Sequence, residues 1–235
     1  MGQYYKVVNV DKQLYVNPRE VRENGAKLME WSYNRNEMVL ALMNLLANEW
    51  KGDRVYVVGD YAEADNPNES CYEAVKALEE ELKLAENEEN STIYGYASEY
   101  YTNVSALTDE EDHGLRYIYN HKTKQFIDTE KCPIEWAWYS KDEKKVYISK
   151  IAPISLLLAM GNDRGGGDFH NGHIGYEYVG SWCSSVQDIE VTTDKIEGLE
   201  YEEFAPNFTE QKEIVPYTDE EKIIREELEK HAELR

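Results

Sequence analysis

Apolar positions along this chain follow two alternating rhythms. Tyr4–Val10 is rich in Tyr and Val, Asp11-Lys12 offers a turn and Leu14–Val16 returns, which predicts a hairpin that Asn17-Pro18 then breaks. Over Asn36–Trp50 the spacing becomes helical. Met38, Leu42, Leu45 and Leu46 share one face with Val39 and Met43 beside them, and Lys51-Gly52 ends the run. Val55–Val58 is a continuous apolar run of the kind found in interior strands, and it ends in Gly59-Asp60-Tyr61. Asn68 can cap a helix reaching about Ala85. Its apolar stripe is Val75, Leu78, Leu82 and Ala85, and its other faces carry Glu73, Glu79, Glu80, Glu81 and Glu86.

Further on, Leu115–Asn120 and Gln125–Asp128 predict a second hairpin around Lys122-Thr123, and Lys145–Ser149 a strand. Ile154–Met160 reads equally as a strand or a short helix before Gly161, and Ile174–Val186 alternates as a strand or hairpin kinked at Gly180. Thr218-Asp219-Glu220-Glu221 is a capping box that opens a last helix with Ile223, Ile224, Leu228 and Leu234 as its apolar positions. Helices and strands intermix without regular β-α-β alternation, which predicts an α+β fold: a mixed, mainly antiparallel sheet with packed helices and an acidic C-terminal helix. Residues 1–187 are expected to form the core and to fold without the last helix. Residues 188–217 read as an acidic connector and 218–235 as that helix.

Charge changes this picture. The chain has 235 residues with 25 Lys+Arg against 47 Asp+Glu, a formal net charge of −22. Residues 60–90 hold eleven acids and two bases, net −9, and residues 188–235 hold sixteen and six, net −10, so about a third of the chain carries −19 of the total. Direct binding to nucleic acid, or to anionic lipid, needs the opposite balance and is not expected. Hydrophobic content of 41% is too high for a disordered chain. The apolar runs are too short to span a bilayer, and no signal peptide is recognisable. Cys71, Cys132 and Cys183 form no C-x-x-C pair and read as reduced, buried thiols in a cytoplasm.

The sharpest local motif is Gly161-Asn162-Asp163-Arg164-Gly165-Gly166-Gly167-Asp168. Consecutive glycines permit a nest of backbone amides for an anion, and Arg164 adds a guanidinium; a tight structural turn is the plainer reading. The loop lacks the Gly-Lys-Ser/Thr of a phosphate-binding P-loop and the helix start of a dinucleotide fingerprint, so no cofactor is expected. His170 and His173 follow it as weak metal candidates, with Asn171-Gly172 a turn between them. Asp60 and Tyr61 stand at a strand exit, where ligands favour sheets containing parallel pairs, although a carboxylate there also serves as a simple cap. Asp109–Asp112 reads as a solvated loop, and Trp136–Tyr139 as sheet aromatics.

Met1–Tyr5, Asn24–Glu30, Val57–Ala62, Tyr117–His121 and Gly161–Asp168 together resemble a family of uncharacterised proteins from Firmicutes and their phages, over about residues 1–187. That family has no established activity, so no catalytic residue carries over; the resemblance implies a bacterial or phage protein of the cytoplasm. Two functional expectations follow. One is an accessory protein that inhibits a host nucleic-acid-handling protein, such as a CRISPR defence effector, by presenting Glu73, Glu79, Glu80, Glu81, Glu226, Glu227 and Glu229 to a basic cleft. At one charge per about 1.7 Å of duplex, 22 charges match about 37 Å of DNA, close to the roughly 45 Å breadth of a compact chain this long. The other is a nucleotide- or metal-binding protein or enzyme built on Asp60, Tyr61 and the Asn162–Asp168 loop.

Overall fold

The computed structural model describes residues 2–63, 69–84, 91–131, 134–140, 145–162, 167–170 and 173–208, with Lys222, Ile223, Glu226 and Lys230; over 134–148 it describes the backbone alone. Eleven strands are found among these residues. β1 (Tyr5–Asn9), β2 (Leu14–Val16), β3 (Val55–Gly59), β4 (Thr102–Asn103) and β9 (Ala159–Met160) form one sheet in the order β4-β2-β1-β3-β9. β5 (Tyr117–Asn120), β6 (Gln125–Asp128), β10 (Ile189–Thr192) and β11 (Glu202–Glu203) form a second, ordered β10-β5-β6-β11, and β7 (Ile134–Ser140) pairs with β8 (Lys145–Lys150). Pairing is antiparallel except for β2–β4, β3–β9 and β6–β11. The helices are α1 (Leu28–Trp31), α2 (Glu37–Ala47), α3 (Tyr72–Leu82), α4 (Ile93–Tyr100) and α5 (Pro153–Leu157). The fold is α+β with a mixed, mainly antiparallel set of sheets, as the pattern predicts.

Local chemistry explains most elements. Asn36 caps α2 by accepting the Met38 amide at 2.9 Å, and the stripe below it buries Met38, Leu42 and Leu46. β1 and β3 are buried along their whole length, with α4 packed against both, which is why they read as continuous apolar runs. Ile154–Met160 divides: Pro153 starts a short helix, and the chain then extends into β9. α4 is an element the sequence pattern does not announce. Thr92 caps it by accepting the Gly95 amide, yet its Gly and three Tyr make poor helix interior, and packing against β1, β2 and β3 supplies its stability.

Two expectations are corrected. Residues 174–186 are not a strand. They fold into 3-10 turns at Tyr176–Tyr178 and Cys183–Asp188, with Gly175 and Gly180 at φ of +82° and +76°. Gly180 has no alternative: a Cβ there would stand 2.7 Å from the Ala159 carbonyl oxygen. The second correction concerns the boundary at 187. β10 pairs with β5 through residue 192, β11 pairs with β6, and Phe208 is buried in the common core, so residues 189–208 belong to the fold rather than to a connector. Of the last helix, Lys222, Ile223, Glu226 and Lys230 are helical and exposed. Asn68 and residues 209–221 lie outside the described residues.

Candidate functional site

The C-terminal ends of the parallel pair β3–β9 bring Asp60 and the start of the glycine loop, Gly161-Asn162, to one end of the first sheet. Strand register then separates them. β1 runs between β2 and β3, Tyr5 stands opposite Gly59, and the pairing continues to Tyr4 and Asp60: Asp60 N donates to the Tyr4 carbonyl at 2.9 Å, and Tyr4 N to Asp60 Oδ1 at 3.0 Å. Side chains alternate along a strand, so Gln3 and Tyr5 point to one face and Tyr4, Lys6 and Asp60 to the other.

On the first face the Tyr5 hydroxyl meets Asp168 Oδ1 at 2.7 Å and Gln3 Oε1 at 3.0 Å. Phe169 N donates to the same Asp168 oxygen at 2.9 Å, and Asn162 N to Gln3 Oε1 at 3.3 Å. Gln3 and Asp168 are both buried. Glycine is required on the neighbouring strands. A Cβ at Gly161 would sit 2.4 Å from the Tyr5 hydroxyl, and one at Gly59 2.3 Å from Gln3 Nε2. Gln3 Nε2 itself is buried and has no hydrogen-bond partner among the described residues.

Asp168 also borders a cavity of about 300 Å³. Met29, Ile151 and Phe169 give it an apolar wall; Tyr33, His170 and His173 supply its polar edge. His173 Nδ1 accepts the His170 amide at 3.0 Å, so the neutral ring carries its proton on Nε2. Burial, with His170 beside it, pushes the His173 pKa down to about 4, so the ring is uncharged at neutral pH. A metal bound to this ring would have to displace either the amide or the Nε2 proton, which weighs against His173 as a ligand. Among the described residues, Asp109, Glu111 and His113 are the one trio whose ligand atoms lie within 4.8 Å of one another. All three are exposed, and His113 Nε2 already contacts Asp109 at 2.7 Å.

On the second face Lys6 is buried beneath α4. Its ammonium lies 4.5 Å from the Tyr15 ring centre and 4.2 Å from that of Tyr94, and it donates to the Ser98 hydroxyl. Burial lowers the Lys6 pKa, partly offset by Glu20. Burial raises that of Asp60, partly offset by the Tyr4 amide, and raises that of Tyr94, with Asp60 adding to the effect. Arg19 covers the Tyr4 ring at 4.6 Å. Gln3, Tyr5 and Lys6 are not among the site residues expected from the sequence; their period-two alternation is the signal there that could have placed them on opposite faces.

The remaining expected site residues divide. Tyr61 is exposed, and Gly167, at φ +83°, accepts the Met29 amide through its carbonyl. Asp163, Arg164, Gly165 and Gly166 lie outside the described residues, as do Glu227 and Glu229. Glu73, Glu80 and Glu226 are exposed and Glu79 is half-buried. Glu81 is not part of an open acidic face: it grips Arg54 with two hydrogen bonds of 2.6 and 2.9 Å, and these hold its carboxyl below the usual range.

Compared with protein-family models, curated proteins and solved structures, the chain matches none.

Proposed function

We propose that the protein acts by binding, as an acidic accessory protein that occupies the nucleic-acid cleft of a bacterial host protein, a defence effector being the partner class that this charge layout suggests for a phage-linked chain. The observation behind this reading is how its cations are used. Lys12, Arg22, Lys27, Arg35, Lys51, Arg54, Arg116 and Lys131 each stand beside a carboxylate, Lys6 is buried, and Arg19 and Lys195 lie on aromatic rings. The carboxylates of Glu73 and Glu80 on α3 face solvent with no hydrogen bond or ion pair among the described residues. Excess negative charge therefore stays at the surface, where it draws a basic partner in and repels nucleic acid. Among the described residues no helix is long and apolar enough to cross a membrane, consistent with the cytoplasmic setting of this proposal.

The test is a pull-down from a bacterial lysate at low and high salt, followed by competition with DNA and RNA. Reversing Glu73 and Glu80 to Lys is expected to weaken partner binding more than tenfold near 0.15 M salt, where screening acts over about 8 Å, with the melting temperature kept. Glu81 is left intact in this variant, because its loss would release Arg54. Affinity unchanged by the double reversal, or by 0.5 M salt, excludes α3 as the contact.

A second reading has its own support. The Asp168 cavity joins an apolar wall to a buried carboxylate and two imidazoles, and the Gln3 amide behind the glycine-lined strand ends lacks an acceptor among the described residues. It describes a binder of a small polar ligand such as a nucleotide. A rise in melting temperature with one member of a nucleotide panel, lost in Asp168→Asn, supports it; no rise across the panel counts against it.

A further inference from the structure

A cleft of about 320 Å³ opens where α2 and the start of α5 meet the second sheet; none of its residues belongs to the Asp168 cavity. Its floor is apolar: Val39 and Met43 from α2 and Ile154 from α5, all nearly fully buried. Its rim carries two guanidiniums, Arg35 and Arg116, and two carboxylates, Asp112 and Glu130.

The two arginines differ in kind. Arg116 is saturated. Its Nε and one terminal nitrogen bond Asp128 at 2.7 Å each, and the other terminal nitrogen lies 3.2 Å from Glu130. Arg35 is held loosely, 3.7 Å from Asp112 and 3.9 Å from Glu130, both too long for hydrogen bonds. Its side chain is 74% exposed, and its backbone sits at φ +65°, a conformation an L-residue adopts only when its surroundings impose it. The rim thus presents a guanidinium between two carboxylates, bonded closely to neither, above an apolar floor.

We infer that this cleft binds a free α-amino acid with an apolar side chain. The ligand carboxylate takes the Arg35 fork, its ammonium takes Asp112 and Glu130, and its side chain lies on Val39, Met43 and Ile154. Complementarity selects this class. A plain anion would face both rim carboxylates, and a plain cation would face both guanidiniums. A residue inside a peptide has neither charge, and a chain terminus has only one of the two. Direct charge-assisted hydrogen bonds would replace separations of 3.7 and 3.9 Å, so the site gains in the bound state what it lacks when empty. With a volume of about 320 Å³, against roughly 30 Å³ for one water, the cleft has room for a branched or aromatic side chain as well as the head group.

Calorimetric titration of the full chain with leucine and phenylalanine tests this. Two probes accompany them: 4-methylpentanoate, which lacks the ammonium, and 3-methylbutylamine, which lacks the carboxylate. Leucine or phenylalanine is expected to bind with a Kd of about 1 mM or tighter, and each probe at least tenfold more weakly than leucine. Arg35→Gln should weaken the amino acid tenfold or more while the melting temperature of the ligand-free chain stays unchanged, since the side chain is exposed. Asp112→Asn should also weaken the amino acid, without improving the amine. No binding of either amino acid at millimolar concentration overturns the inference. So does 4-methylpentanoate binding as tightly as leucine, or Arg35→Gln binding like the parent chain.

Discussion

The two faces of β1 handle buried polarity in opposite ways. On one face Tyr5 delivers a hydroxyl to the Asp168 carboxylate, and Phe169 N shares the load. On the other, Lys6 buries an ammonium whose neighbours are two ring faces and one serine hydroxyl. The first face spends specific donors on an anion, so its geometry is exacting and demands glycine at 59 and 161. The second spends diffuse ring quadrupoles on a cation, which tolerate displacement but compensate desolvation less completely. One five-residue strand therefore carries a rigid anion cradle and a softer cation cradle, one residue out of phase.

Lys6→Glu attacks the second cradle most severely. It places a carboxylate against ring faces that repel it, and a loss of about 3–5 kcal/mol in denaturant unfolding is expected. The conservative Lys6→Met should recover most of that loss. A loss below about 1 kcal/mol for Lys6→Glu would show that the ammonium is not truly enclosed.

Gly161→Ala probes the exacting face. Its new Cβ would lie 2.4 Å from the Tyr5 hydroxyl, and the rigid ring cannot swing aside. The expected cost is about 2–3 kcal/mol, most of it relieved in a background of Tyr5→Leu. If the two substitutions simply add, the hydroxyl is not what excludes the side chain.

The smallest effect is a titration. Burial lowers the Lys6 pKa in the folded chain, so between that value and the usual 10.5 the unfolded chain binds more protons than the native one. Stability contributed by this residue must therefore rise as pH rises through that window, the same sign as for a paired carboxylate such as Asp128, whose lowered pKa places its window in acid instead. Chemical-denaturation curves from neutral pH to about 10 should show the slope in the parent chain and not in Lys6→Met. An equal slope in both would assign the effect elsewhere.

How much of this was legible in sequence depended on whether the signal was local. α2 was readable because cap and stripe lie within fifteen residues of each other, and β3 because burial on both faces leaves an unbroken apolar run. Ile174–Val186 deceived because buried and exposed positions also alternate through 3-10 turns, and the positive φ at Gly175 and Gly180 is not written in hydropathy. β10 did show alternate burial at Ile189 and Val191, but the surrounding acids made the segment look like linker. For the site, Asp60 and Asp168 could each be suspected, while their placement on opposite faces is a property of register with β1. Arg35 was invisible altogether, since its interest lies in separations to Asp112 and Glu130 that no spacing encodes.

The closure of the second sheet by β10 and β11 has a consequence for synthesis. The β5–β6 hairpin is complete at Asp128, but both of its flanking partners come from residues 189–203. On a ribosome adding about 5–20 residues per second, the roughly 60 intervening residues take several seconds to emerge. During that interval the hairpin carries two open edges, the exposure that favours pairing with a foreign strand. Charge in the arriving segment, Glu190, Glu202 and Glu203 among it, then serves the nascent chain before it serves the finished one: it keeps the late strands from pairing with one another across molecules while they wait to dock.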